Sequence, residues 1–170
     1  MTVTYEGVTE QTGLIIHDHA VLRRGLERRA GTLCEAVESG VPFEWQMKVL
    51  REYIAGEIQP HAEAEERSLF QAAAAKARGS ELGELAGALT AEHHALAYLA
   101  TRLEAGADGR EAVTAAEWIA TLFAGHVAKV NDKLLPALIA SGADLASLLA
   151  DMREEQPARK RDEAWGARRS

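Results

Sequence analysis

The chain has 170 residues, 47% of them hydrophobic and 26% charged, with a formal net charge of -7. That length suits one domain with a full apolar core, and the acidic balance argues against nucleic acid as the main partner. One cysteine, Cys34, excludes an internal disulfide and fits a reducing compartment. The opening MTVTYEGVTEQTG lacks the basic start and apolar run of a signal peptide, and no stretch has about 18 consecutive apolar residues. A cytoplasmic protein without membrane association is therefore expected. Alanine and leucine dominate and β-branched runs are scarce, which favours an all-α fold.

In chain order, the first helical pattern runs from about Thr12 to Glu38, with Ile15, His19, Leu22, Leu26 and Leu33 on one face. Cys34 lies near its end, far along the axis from His19, and reads as a small core residue. Ser39-Gly40-Val41-Pro42 breaks the chain. The second helix is expected from Pro42 to Ala77, with Leu50, Ile54, Glu57, His61, Glu65 and Leu69 inward. Pro60 should kink it beside His61. Arg78-Gly79-Ser80 is the next break, with Gly79 as a C′ residue and Ser80 as an N-cap. The third helix should reach Glu104 and bury Leu82, Leu85, Leu89, His93, Leu96 and Leu103. After the loop Gly106–Gly109, the fourth runs from Arg110 to Ala140 and buries Ile119, Phe123, His126, Val130 and Leu134. Pro136 should bend its last turn.

Asp144 then caps a short helix, Leu145 to Met152, and a mostly basic tail follows from Gln156. Short connections between long helices make antiparallel neighbours. The expected architecture is an up-down-up-down four-helix bundle with a short C-terminal helix. Residues 1–11 form an N-terminal extension, 12–152 the bundle and 153–170 a mobile tail.

His19, His61, His93 and His126 fall one per helix on the core face. A single inward histidine is ordinarily a hydrogen-bonded core residue. Four converging ones are costly, because each neutral ring buries a donor and an acceptor at roughly 1–3 kcal/mol for either left unpaired. A metal uses the acceptor nitrogens and leaves the other N–H groups for outer partners. Glu57, His61 and Glu65 stand one turn apart on the second helix, so a carboxylate and an imidazole can reach one ion and a glutamate can join two. Glu66, His17 and His94 point off that face and read as surface groups. Asp18 and Glu92, each just before an inward histidine, read as helix-surface acids that could also make an outer hydrogen bond to the site. Tyr53 and Tyr98 read as packing aromatics that could border the cavity.

The tracts HDHAVLRRGL from His17, PHAEAEERSLF from Pro60, AEHHALAYL from Ala91 and FAGHVAKVNDKLLPAL from Phe123 resemble the hemerythrin family, in particular the bacterial hemerythrin-like domains with the HHE cation-binding motif. The resemblance spans nearly all of residues 12–152. It implies a four-helix bundle around a non-haem di-iron site with two bridging carboxylates. It also implies a small partner such as dioxygen, nitric oxide or peroxide, and a role in oxygen carriage, oxygen or redox sensing, or detoxification. It maps ligand positions onto His19, His61, Glu65, His93 and His126.

Three departures stand out. The second bridging acid, four residues after the last histidine, is here Val130. The aspartate that oxygen carriers place five residues on is Asn131. Their extra third-helix histidine is Ala97. Classical reversible oxygen carriage is therefore not expected. Glu57 could stand in as a carboxylate and leave two irons; the site could hold one metal, iron or zinc; or it could be degenerate. The second functional reading is a non-catalytic sensor or interaction module. The chain is expected as a monomer or homodimer, with enzymatic turnover undecided.

Overall fold

The computed structural model describes residues 5–76, 80–104 and 106–155. All regular structure among them is helical. Helix α1 spans Tyr5–Glu38. Helix α2 covers residues 44–76 as Glu44–Tyr53, a π turn Ile54–Ile58, Gln59–Glu65, a second π turn Glu66–Phe70, and Gln71–Lys76. Helix α3 spans Glu81–Thr101. Helix α4 covers residues 109–140 as Gly109–Lys129, a π turn Val130–Leu134, and Leu135–Ala140. Helix α5 spans Leu145–Glu155. Around the bundle α1 packs on α2 and α4, and α3 packs on the same two. The joints are short, so neighbours alternate in direction. No described helix is long and apolar enough to cross a membrane.

The helix ends follow their sequence signals. Gly40 and Gly142 have φ of +66° and +68°, a region glycine enters without penalty. Each closes its helix with paired turn bonds, Gly40 N–H to Val37 O and Val41 N–H to Ala36 O in the first case. Asp108 accepts from the Glu111 N–H at 2.8 Å and caps α4. Asp144 does the same for α5 through the Ser147 N–H at 3.2 Å.

Five boundaries differ from the sequence expectation. The first helix starts at Tyr5 rather than Thr12, the second at Glu44 rather than Pro42, and the fourth at Gly109 rather than Arg110; the third ends at Thr101 rather than Glu104, and the short helix reaches Glu155 rather than Met152. Leu82 and Leu85 are half-buried rather than buried. The expected end of the second helix at Ala77, the Arg78-Gly79 break and the tail from Gln156 lie outside the described residues.

Both internal prolines sit in continuous helices. Immediately before each, the backbone widens: Gln59 N–H bonds Ile54 O, and Leu135 N–H bonds Val130 O, five residues back. Proline lacks the N–H of an ordinary turn, and its ring crowds the carbonyl four residues back. A π turn moves that carbonyl away and inserts one residue into the register. This insertion decides which side chains face the axis beside the histidines.

The core falls into two apolar clusters. Leu22, Ile58, Leu96 and Phe123 belong to one, and Ile15, Ala64, Leu89 and Val130 to the other. On each long helix one buried histidine stands between members of the two clusters. The four imidazoles thus form a polar layer across an apolar bundle. Helix α5 seals the second cluster with Leu145, Leu149 and Met152, packed against α1 and α2. Cys34 is half-buried, and burial with nearby Glu117 and Glu38 pushes its thiol up, which disfavours the reactive thiolate.

One close approach fixes α1 against α2. A Cβ on Gly25 would lie 2.2 Å from the Tyr53 hydroxyl oxygen. That hydroxyl donates to Leu22 O at 3.1 Å, and the Arg29 guanidinium lies 4.0 Å from the ring centre. The tyrosine can retreat only by giving up the bond to Leu22 O or the Arg29 contact. Gly25→Ala is expected to destabilise the fold by about 1–3 kcal/mol, as overpacked sites do, read as a lowered denaturation midpoint with an unchanged helical spectrum.

Candidate metal centre

Glu65 is fully buried at the centre of the histidine layer. Its Oε1 lies 3.2 Å from His19 Nε2 and 3.6 Å from His61 Nε2. Its Oε2 lies 3.2 Å from His93 Nε2 and 3.1 Å from His126 Nε2. Each oxygen therefore faces one pair of imidazoles, and the carboxylate joins two donor sets. The first set is His19, His61 and Glu65; the second is Glu65, His93 and His126. Every one of these side chains is buried.

The outer ring nitrogens fix the tautomers. The Nδ1 of His19 is 2.7 Å from Asn131 Oδ1, and that of His93 is 2.8 Å from Glu66 Oε1. The Nδ1 of His126 is 3.2 Å from Glu92 Oε2. Each partner atom accepts, so each Nδ1 donates; in the neutral ring Nε2 then presents its lone pair inward, and in the protonated ring it donates to Glu65. The Nε2 atoms of His93 and His126 then stand 3.1 Å apart with Glu65 Oε2 between them. With both rings neutral these are three acceptors, which repel at that separation unless a proton or a metal cation sits among them. In the other set, His19 Nε2 and Glu65 Oε1 are buried and approach closely, yet their geometry is not that of a hydrogen bond. Orphaned acceptors aimed at a shared point fit metal ligation, and imidazole with carboxylate suits iron or zinc.

Aromatic rings wall the second set. Phe70 stacks on His93 at 5.3 Å between centroids, and Phe123 lies nearly parallel to His126 at 6.3 Å. These rings exclude water and hold the imidazoles in one orientation. His19 and His61 meet edge to face at 4.9 Å.

Electrostatics follow from burial and partners. Burial alone would push the Glu65 carboxyl up, but the rings of His61, His126 and His19 hold it well below the usual carboxylate range. Burial pulls His19 down, and Glu65 with Asn131 outweighs it, so His19 is raised. Burial likewise opposes His93, which Glu65 and Glu66 raise. For His61 burial wins and the ring is lowered.

The structure brings together five of the six residues singled out from the sequence. Glu57, the sixth, is half-buried in the first π turn and belongs to neither donor set. Ile58 takes the buried place before His61, because the widened turn rotates the preceding residue off the His61–Glu65 line. Glu66, expected at the surface, instead reaches His93 Nδ1. Glu92 bonds His126 and also pairs with Lys129 Nζ. Val130 is buried among apolar side chains, and Asn131 supplies the contact to His19. His17 and His94 are exposed as expected, and Tyr98 is exposed too. The sequence signals for the outer partners were slight: a second glutamate after Glu65, an acid just before His93, and an amide five residues after His126.

Buried paired histidines around one carboxylate give this four-helix bundle a centre that could hold a cation. The hemerythrin HHE cation-binding domain matches residues 12–138, and the chain belongs to that family. Comparison with curated proteins and with solved structures gave no significant match.

The metal-free chain should show a stability maximum near the ordinary histidine value of about 6.5. Above it, His19 and His93, raised in the fold, lose their protons and the stability those gave. Below it, His61, lowered in the fold, protonates more readily in the unfolded chain and also costs stability. At lower pH the Glu65 contribution is lost as the medium falls through its depressed value. Chemical denaturation of chelator-stripped protein across pH 4–9 measures the histidine part of this profile, and its extension to lower pH the Glu65 part. Glu65→Gln should flatten the decline above the maximum, because both raised histidines lose their main partner.

Proposed function

We propose that the chain is a non-haem iron protein, with two irons per chain, that binds or reacts with dioxygen, nitric oxide or peroxide in oxygen or redox sensing or in detoxification. The observation that carries this reading is the division of Glu65: one oxygen for each histidine pair. His19, His61, Glu65, His93 and His126 would hold the metal. When bound, iron would supply open coordination positions and reversible electron transfer for a small ligand. The protein's own residues do the rest. Asn131, Glu66 and Glu92 keep the Nδ1 protons in place and the inner lone pairs available. Phe70 and Phe123 keep the layer dry. Apolar residues above and below restrict entry to small molecules.

The missing fourth-helix carboxylate favours a second reading: one iron or zinc per chain in a bundle that serves as a non-catalytic sensor or interaction module. Val130 gives no donor, so a single carboxylate would have to offset two nearby cations.

Anaerobic loading with ferrous iron, elemental analysis and exposure to air decide between them. The first reading expects two irons per chain and a new near-ultraviolet absorption. One metal and no such band would overturn it in favour of the second. Glu57→Gln is expected to leave the stoichiometry unchanged, since that side chain stands outside both donor sets. Val130→Glu should raise iron retention while lowering the stability of the metal-free chain by about 1–3 kcal/mol or more, because it buries a charge that only a cation can offset. Equal stability of the metal-free variant would show that residue 130 does not face the interior.

A further inference from the structure

The groups behind His93 and His126 differ from the one behind His19. In the second set both outer nitrogens donate to carboxylates: His93 to Glu66 at 2.8 Å and His126 to Glu92 at 3.2 Å. In the first set His19 donates to a neutral amide, Asn131. The charge of Asp18 also raises His19. Glu66 comes from α2, Glu92 from α3, and the histidines they hold from α3 and α4. This arrangement crosses three helices and converges on one side of the bundle.

The charge balance gives it a purpose. Two divalent ions on either side of Glu65 carry four positive charges against one carboxylate. With Val130 in place of an acid, the donor atoms supply no further negative charge. A carboxylate hydrogen-bonded to Nδ1–H raises the electron density at Nε2 and places a negative charge one ring away from the ion. Resting on the metal-binding reading above, we propose that Glu66 and Glu92 supply the charge Val130 withholds and set the affinity of one metal position, that of His93, His126 and Glu65 Oε2. Lys129 moderates this through its ion pair with Glu92.

The test is a Zn²⁺ titration of chelator-stripped, full-length protein, followed by calorimetry and by competition with a chromophoric chelator. Zinc is redox-inert, so the result does not depend on any activity. Glutamine keeps an acceptor for the Nδ1–H and removes only the charge, which separates charge from ring orientation. Glu66→Gln and Glu92→Gln, on different helices, should each weaken one of two binding steps by about 10–100-fold and leave the other in place. Asn131→Ala should weaken the other step instead. Lys129→Met should tighten the step that Glu92→Gln weakens, because it frees the carboxylate's charge.

Glutamine variants that bind as the wild type would overturn the proposal and reduce both acids to orienting groups. So would equal weakening of both steps, or a Lys129→Met variant as weak as Glu92→Gln. If the wild type takes a single Zn²⁺, the proposal requires that the glutamine variants weaken it and Asn131→Ala does not; the reverse pattern overturns it. If neither Zn²⁺ nor Fe²⁺ binds, the metal-binding reading falls as well, whereas intact binding with indifferent glutamine variants overturns this inference alone.

Discussion

A buried carboxylate surrounded by imidazole lone pairs is the constraint on which this molecule turns. Glu65 is fully buried, and an isolated ionised carboxylate in such a place would cost several kcal/mol. It is tolerated because four ring nitrogens from four helices stand within 3.6 Å of its oxygens. Those nitrogens are in turn tolerated only with cations among them, either protons or a metal. In the metal-free chain, Glu65 raises His19 and His93 and is itself held well below the usual carboxylate range, which favours protons in that role. A metal would replace them. Binding would therefore release protons and weaken as pH falls.

The rest of the fold serves this layer. Each long helix contributes one histidine between two apolar clusters, so the packing energy of both halves holds the polar layer at fixed spacing. Phe70 and Phe123 bring the apolar surface directly against the second histidine pair. The three π turns lie next to the site: one before His61, one after Glu65 and one after His126. Each inserts a residue where a regular turn would place a different side chain inward. Two of them precede prolines, so the ring that would break a regular helix instead stabilises a shifted one.

The shift also explains how the loss of the fourth-helix acid is absorbed. Val130 begins the π turn and joins the apolar cluster, and Asn131 turns to His19. The position carries no charge, but its neighbour still holds a ring. The outer carboxylates Glu66 and Glu92 gather on the other pair of histidines. The result is a centre whose two halves share one carboxylate, with acids behind both imidazoles of one half and an amide behind His19 in the other.

The sequence by itself determined the four helices, their antiparallel order and the five inner donors. Those features depend on a 3.6-residue apolar period, on glycine and aspartate at helix ends, and on one histidine per helix, all of them local. It also placed His17 and His94 outside. It could not place Glu57, Glu66 or Asn131, because each adjoins a π turn and regular periodicity errs by one residue across such a turn. Nor could it pair Glu92 with His126, or Glu66 with His93. Those partners are 34 and 27 residues apart and meet only where α2, α3 and α4 converge. Helix register is written along the chain. The hydrogen bonds that set each ring's tautomer are made between helices, and only the tertiary structure decides them.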